Sequence, residues 1–144
     1  MKRTVASLLE SKGSDIYSIG PDDHVYAALE MMEGKRVGAL VVTDGDALVG
    51  VISERDFARE MLTADGGPRD MLVSDIMTKD VFTVSPESNV GDCMAMMTDK
   101  RIRHLPVIDA DGQLVGIISI GDVVSAVITF QESLIADLER YITG

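Results

Sequence analysis

Gly50-Val-Ile-Ser-Glu-Arg-Asp56 recurs further along the chain as Gly116-Ile-Ile-Ser-Ile-Gly-Asp122. In each stretch an apolar run reads as a buried strand, a Ser ends it and opens a helix, and an Asp follows three residues later. The likeness extends outward. Asp15 to Asp44 aligns with Asp80 to Asp109 at an offset of 65, and Gly45 to Phe57 aligns with Asp111 to Val123 at an offset of 66. Identical pairs include Pro21/Pro86, Val25/Val90, Met32/Met97, Arg36/Arg101, Leu40/Leu105, Ser53/Ser119 and Asp56/Asp122. The chain is a tandem duplication. Its period is longer than a solenoid repeat, so each copy is a small domain with several elements.

Each copy reads as strand, helix, strand, strand, helix. Asp15–Ile19 and Asp80–Val84 are β-branched and aromatic, and each precedes a Pro that ends strand pairing. Val25, Ala28, Leu29 and Met32 form a helical stripe, repeated by Val90, Cys93, Met94 and Met97. Val37–Thr43 with Ala47–Ser53, and Ile102–Ile108 with Gln113–Ser119, read as hairpins around turns rich in Asp and Gly. A final amphipathic helix is expected over Thr129–Tyr141, and Thr63–Asp70, with its Gly-Gly-Pro, is the linker. The expected fold class is α/β (α+β), with a first domain at 1–66, a second at 67–128 and a C-terminal helix and tail at 129–144. A unit of about 60 residues is marginal alone, so the halves are expected to share a core about a pseudo-twofold axis, with two equivalent clefts between them.

With 144 residues, 46% hydrophobic and 26% charged, the chain has the balance of a globular protein. A net charge of -11 with no Trp and three each of Tyr and Phe speaks against nucleic acid as a partner. No apolar run is long enough for a membrane span, and the start, Met1 to Glu10, is too short for a signal peptide, so a cytoplasmic protein with no membrane partner is expected. The lone Cys93 lies on a helix stripe and reads as a buried thiol. His24 beside Asp22 and Asp23 reads as a surface or cap residue, and the paired Met31-Met32 and Met96-Met97 as core filler. No metal spacing, phosphate loop or nucleophile elbow is present.

The Ser-x-x-Asp pairs carry two readings. In one, Asp accepts hydrogen bonds from vicinal hydroxyls such as those of a ribose, while Ser and the helix N–H groups meet a phosphate or sugar oxygen. In the other they are capping boxes and nothing more.

Ile102-Arg-His-Leu-Pro-Val-Ile108, Gly116-Ile-Ile-Ser-Ile-Gly-Asp-Val-Val124 and Ile76-Met-Thr78 carry a specific resemblance. The chain resembles a tandem pair of CBS domains, the cystathionine β-synthase type, also called a Bateman module, and in particular small two-CBS proteins with Ser-Glu-Arg-Asp in the first half and a Tyr-Ile-Thr-Gly tail. The resemblance implies a regulatory sensor, not an enzyme, that binds AMP, ADP, ATP, NAD or S-adenosylmethionine between the halves and signals occupancy to a partner protein. No catalytic cofactor is implied; AMP is the ligand expected. One cleft would join Ser53, Arg55 and Asp56 to Val81, Arg103 and His104, with Asp56 on the ribose and Arg103 and His104 on phosphate. The other would join Ser119 and Asp122 to Ile16, Gly38 and Ala39. There Gly38-Ala39 replaces Arg103-His104, so the second cleft lacks a guanidinium. Apolar helix faces at 57–61 and 123–127 imply a homodimer. The competing reading is a protein-interaction module with no nucleotide.

Overall fold

A computed structural model describes residues 3–62, 67 and 69–143. In chain order the elements are α1 (Val5–Lys12), β1 (Ser18–Ile19), α2 (Val25–Lys35), β2 (Ala39–Asp44), β3 (Ala47–Ser53), α3 (Glu54–Met61), α4 (Val73–Ile76), α5 (Val90–Lys100), β4 (His104–Ile108), β5 (Leu114–Ser119) and α6 (Ile120–Thr143). They form two compact units. One is Ile16–Phe82, and the other joins Met1–Asp15 to Thr83–Gly144.

The two cores are built from corresponding residues. Val25/Val90, Ala28/Cys93, Met32/Met97, Leu40/Leu105, Val42/Val107 and Ile52/Ile118 are all buried. The helical stripes are responsible for this: α2 and α5 each turn a Val, a small residue and a Met inward at i, i+3 and i+7. Cys93 stands where the first copy has Ala28, so it fills space, and burial, seconded by Asp92, pushes its thiol up from the ordinary value. Met32 and Met97 are core residues, with Met31 and Met96 packed partly buried against the same clusters. At the ends of α2 and α5, Arg36 and Arg101 both take the left-handed conformation at φ 56, turning the chain into the following strand.

Both expected hairpins form. β2 and β3 pair antiparallel, as do β4 and β5, and each hairpin carries a register shift at the same place, Val42/Thr43 and Val107/Ile108. Gly45 and Gly112 supply the positive φ at the turns.

The leading strands are shorter than the sequence suggests. Of Asp15–Ile19 only Ser18–Ile19 pairs as a strand, parallel to β2, and of Asp80–Val84 only Val84 bridges, to Val107. The second copy has less for a physical reason. Val41 donates its N–H to Tyr17 O at 3.3 Å, whereas the corresponding residue of β4 is Pro106, which has no N–H to offer.

Two short helices were not anticipated, and one of them moves a boundary. The sequence places residues 1–66 in one domain; in the structure α1 instead completes the second copy. Val5, Leu8 and Leu9 are buried with Val84, Val90, Leu105 and Ile118. Val5 N donates to Ser88 O, and Val90 N donates to Arg3 O, both at 2.9 Å. The first copy obtains the same service from α4, where Val25 N donates to Met71 O and Val73 N to Asp23 O. A Gly on the last strand of each hairpin gives these segments room. A Cβ on Gly50 would lie 2.7 Å from Met77 Sδ, and one on Gly116 would lie 2.8 Å from a Leu9 methyl.

The expected break at 128/129 is also absent. α6 runs unbroken over 24 residues, because no Gly or Pro interrupts the chain after Gly121. Its Val123 and Ala126 point into the core of their own unit, so they do not belong to an outward apolar face; Phe57 likewise packs partly buried against the first copy's core. Of the expected linker, residues 63–66 and 68 lie outside the described residues, as does Gly144 of the tail.

Candidate functional site

Each candidate site starts where a core strand hands over to a helix. At the end of β3, Ser53 N donates to Asp56 Oδ2 at 2.9 Å, Ser53 Oγ donates to the same oxygen at 3.0 Å, and Asp56 N donates back to Ser53 Oγ at 3.2 Å. At the end of β5, Ser119 N donates to Asp122 Oδ2 at 2.8 Å, and Asp122 N donates to Ser119 Oγ at 3.1 Å. Both junctions are thus complete capping boxes, fixed in place by strand pairing behind and helix ahead. The caps engage Oδ2 of each carboxylate and leave Oδ1 without a cap contact.

The strand opening each hairpin lies beside its own junction. Ala39 is in register with Ser53, and Glu54 N donates to Gly38 O at 3.1 Å. His104 is in register with Ser119, and Ile120 N donates to Arg103 O at 2.8 Å. Gly38-Ala39 and Arg103-His104 therefore hold the same place in their respective units. Arg55 and Arg103 are exposed, while Ile16, Val81 and His104 are half-buried. Ser53, Arg55, Asp56, Val81, Ile16, Gly38 and Ala39 belong to the Ile16–Phe82 unit, and Arg103, His104, Ser119 and Asp122 to the other.

One residue at the site was missed. Lys12, the last residue of α1, donates from Nζ to Asp122 Oδ2 and to Ile117 O, both at 2.7 Å. Burial pushes the Asp122 carboxyl up, but the Lys12 hydrogen bond, the Ser119 amide and the Lys12 charge together outweigh it and leave it below the ordinary value. Asp56 has a weaker counterpart in Arg59, 3.9 Å from Oδ1 and largely in solvent. The only signal for Lys12 in the sequence is its place at the end of Val5-Ala-Ser-Leu-Leu-Glu-Ser-Lys12, a segment outside the alignment of the two copies.

His24 occupies the N-cap position of α2 without a side-chain cap bond. Among the described residues no group of three His, Cys, Asp or Glu side chains is placed to hold a metal, and no helix is long and apolar enough to cross a membrane.

Comparison with known proteins agrees with this fold. The CBS domain family model matches residues 9–63 and 73–129. The CBS domain-containing protein CBSX3, mitochondrial, of Arabidopsis thaliana is 39% identical over 150 residues, covering 98% of this chain and 72% of the plant protein. Among solved structures, the CBS-domain containing protein ATU1752 of Agrobacterium tumefaciens superposes with a TM-score of 0.82 at 38% identity, covering 86% of this chain and 98% of that one. CBSX2 in complex with AMP superposes with a TM-score of 0.71 at 27% identity, covering 88% of this chain and 97% of that one. Inosine-5'-monophosphate dehydrogenase of Korarchaeum cryptofilum is 35% identical over 109 residues, but these make up only 22% of the enzyme. With a duplicated strand-to-helix junction, corresponding cores and a family model matched twice, this chain belongs to the CBS-domain family and carries two CBS domains in tandem.

Proposed function

We propose that this CBS pair is a regulatory sensor for an adenosine-containing ligand, with AMP as the first candidate, and that occupancy is passed to a partner protein. The observation that carries the reading is the duplicated Ser-x-x-Asp junction, in which a rigidly capped carboxylate keeps one oxygen for hydroxyl donors. A relative 27% identical to this chain has been solved with AMP, which favours that nucleotide. In this reading Asp56 accepts the ribose hydroxyls of one ligand, with Ser53, Arg55 and Val81 beside it and Arg103 and His104 countering phosphate. Asp122 and Ser119, with Ile16, Gly38 and Ala39, take the second. ADP, ATP, NAD and S-adenosylmethionine share the adenosine part and differ in what they ask of the basic residues.

The same proposal includes no catalytic role, a homodimer formed through α6, and a cytoplasmic location. Isothermal titration of the chain with AMP, ATP, NAD and S-adenosylmethionine tests it. Saturable binding weakened about tenfold or more by Asp56→Ala is expected, the loss of charge-assisted hydrogen bonds to the sugar. Absence of heat from every ligand would overturn it.

The complete capping boxes favour one alternative, an interaction module whose Ser and Asp residues only secure helices. In that case Asp56→Ala costs about 1 kcal/mol of stability, a cap's worth, and alters no titration.

A further inference from the structure

The two copies satisfy one backbone carbonyl in different ways. On the outer edge of β3, Val51 and Thr78 exchange backbone hydrogen bonds, with Thr78 N donating to Val51 O at 2.9 Å and Val51 N donating to Thr78 O at 3.0 Å. The corresponding residue of β5 is Ile117, and its carbonyl accepts instead from the Lys12 ammonium at 2.7 Å. Helix length explains the exchange. Met77 and Leu9 sit over the corresponding glycines Gly50 and Gly116, but α4 ends at Ile76 and the chain extends into the Thr78 pairing, whereas α1 continues past Leu9 to Lys12. The extra residues bring an ammonium where the first copy has an amide. From there the same ammonium reaches Asp122 Oδ2 at 2.7 Å, with both side chains under a third exposed. Among the described residues no cation stands as close to Asp56: Arg59 is 3.9 Å away with 75% of its side chain in solvent.

We propose that Lys12 makes the two ribose carboxylates unequal, so that the Asp56 site takes an adenosine ligand tightly and the Asp122 site takes it weakly. The inference rests on the nucleotide-sensor reading above and concerns which of its two sites answers first. Hydroxyl donors bind a carboxylate strongly because it is charged, and such bonds have roughly twice the strength of neutral ones. An ammonium in direct contact neutralises that charge before the ligand arrives. Asp56, capped by the neutral Ser53 and faced at 3.9 Å by a largely solvated Arg59, keeps more of its charge for the sugar.

Titration calorimetry with adenosine and with AMP on the full chain tests this. Adenosine carries no phosphate, so it reads the carboxylate alone. The wild type is expected to show one tight site and a second at least about tenfold weaker, the worth of one such bond. Asp56→Ala removes the tight site. Lys12→Gln, which keeps an N–H for Ile117 O but drops the charge, brings the second site to within about threefold of the first. Lys12→Met gives the same result if the glutamine variant folds poorly by circular dichroism, and Lys12→Arg keeps the second site weak. Two equal sites in the wild type, or a second site unmoved by Lys12→Gln and Lys12→Met, overturn the inference while leaving the sensor reading in place. A second site that weakens in these variants also overturns it, since Lys12 would then be a ligand contact. No binding by wild type and variants alike overturns the sensor reading itself, and this inference with it.

Discussion

Asp122 has an environment that its position in the repeat does not suggest. Sequence treats it and Asp56 as equals, because each follows a Ser by three residues and a Gly by six. The Ser contacts bear this out, and the lysine does not. Its carboxyl is held below the ordinary value, so the folded state binds the proton less readily than the unfolded chain does. The stabilisation is therefore complete above the unfolded value of about 3.9 and is lost as pH falls through the lower folded value. Thermal melts of wild type and Asp122→Asn should differ by a constant margin above about pH 5 and converge as pH falls below about 4, with about 1 kcal/mol at stake for a partly exposed pair. A margin that stays constant down to the acid limit would mean that the Asp122 charge contributes nothing to the folded state. The Ser-x-x-Asp motif was legible because it is local. Lys12 was not, since it meets Asp122 across 110 positions of sequence and no pattern in either segment announces the contact.

Among elements, α6 joins two tasks that the sequence reading divides at 128/129. Its first turns bury Val123 and Ala126, while Ile128, Leu134, Ile135, Leu138, Tyr141 and Ile142 are exposed along the rest. Ile128, Ile135, Leu138 and Ile142 fall at alternating spacings that match a seam of 3.5-residue period, with Gln131 the polar member. Such a seam suits a second copy of the same helix, and the proposed homodimer would form along it rather than through the faces at 57–61 and 123–127. Removing residues 132–144 should leave the thermal midpoint within a few degrees, because none of these side chains enters a core, yet shift sedimentation towards the monomer. Unchanged self-association would assign the dimer contact elsewhere. The hairpins were the elements most readable in the sequence, since the apolar runs, the turns rich in Asp and Gly and the repeat all agreed. The leading strands were the least so: their composition was right, but pairing depends on whether the neighbouring strand can donate, and Pro106 cannot.

At the scale of the whole molecule, the duplication is more regular in space than along the chain. Each copy packs a short helix against the segment that leads into its long helix, α2 or α5. The first copy takes α4, which follows it in sequence, and the second takes α1, from the other end of the chain. The repeat was visible in sequence because the core stripes are nearly the same, but α1 and α4 share too little sequence to be aligned. Their importance shows in burial. Leu8 is 4% exposed, so Leu8→Ala should cost about 2–4 kcal/mol in urea denaturation, far from any repeat motif. A cost below about 1 kcal/mol would show that α1 only lies on the second copy without completing it.

The placement of α1 also has a bearing on synthesis. Val5, Leu8 and Leu9 are translated well before Val123 and Ala126, the last residues of the core they join. At 5–20 residues per second that interval is roughly 6–24 seconds. Residues 16–78 hold every buried side chain of the first copy's core, so that copy can close on the ribosome while α1 still lacks a surface to bury against. Helix α1, made long before the rest of its core, is thus buried late, and its apolar side chains lack that core until the second copy emerges.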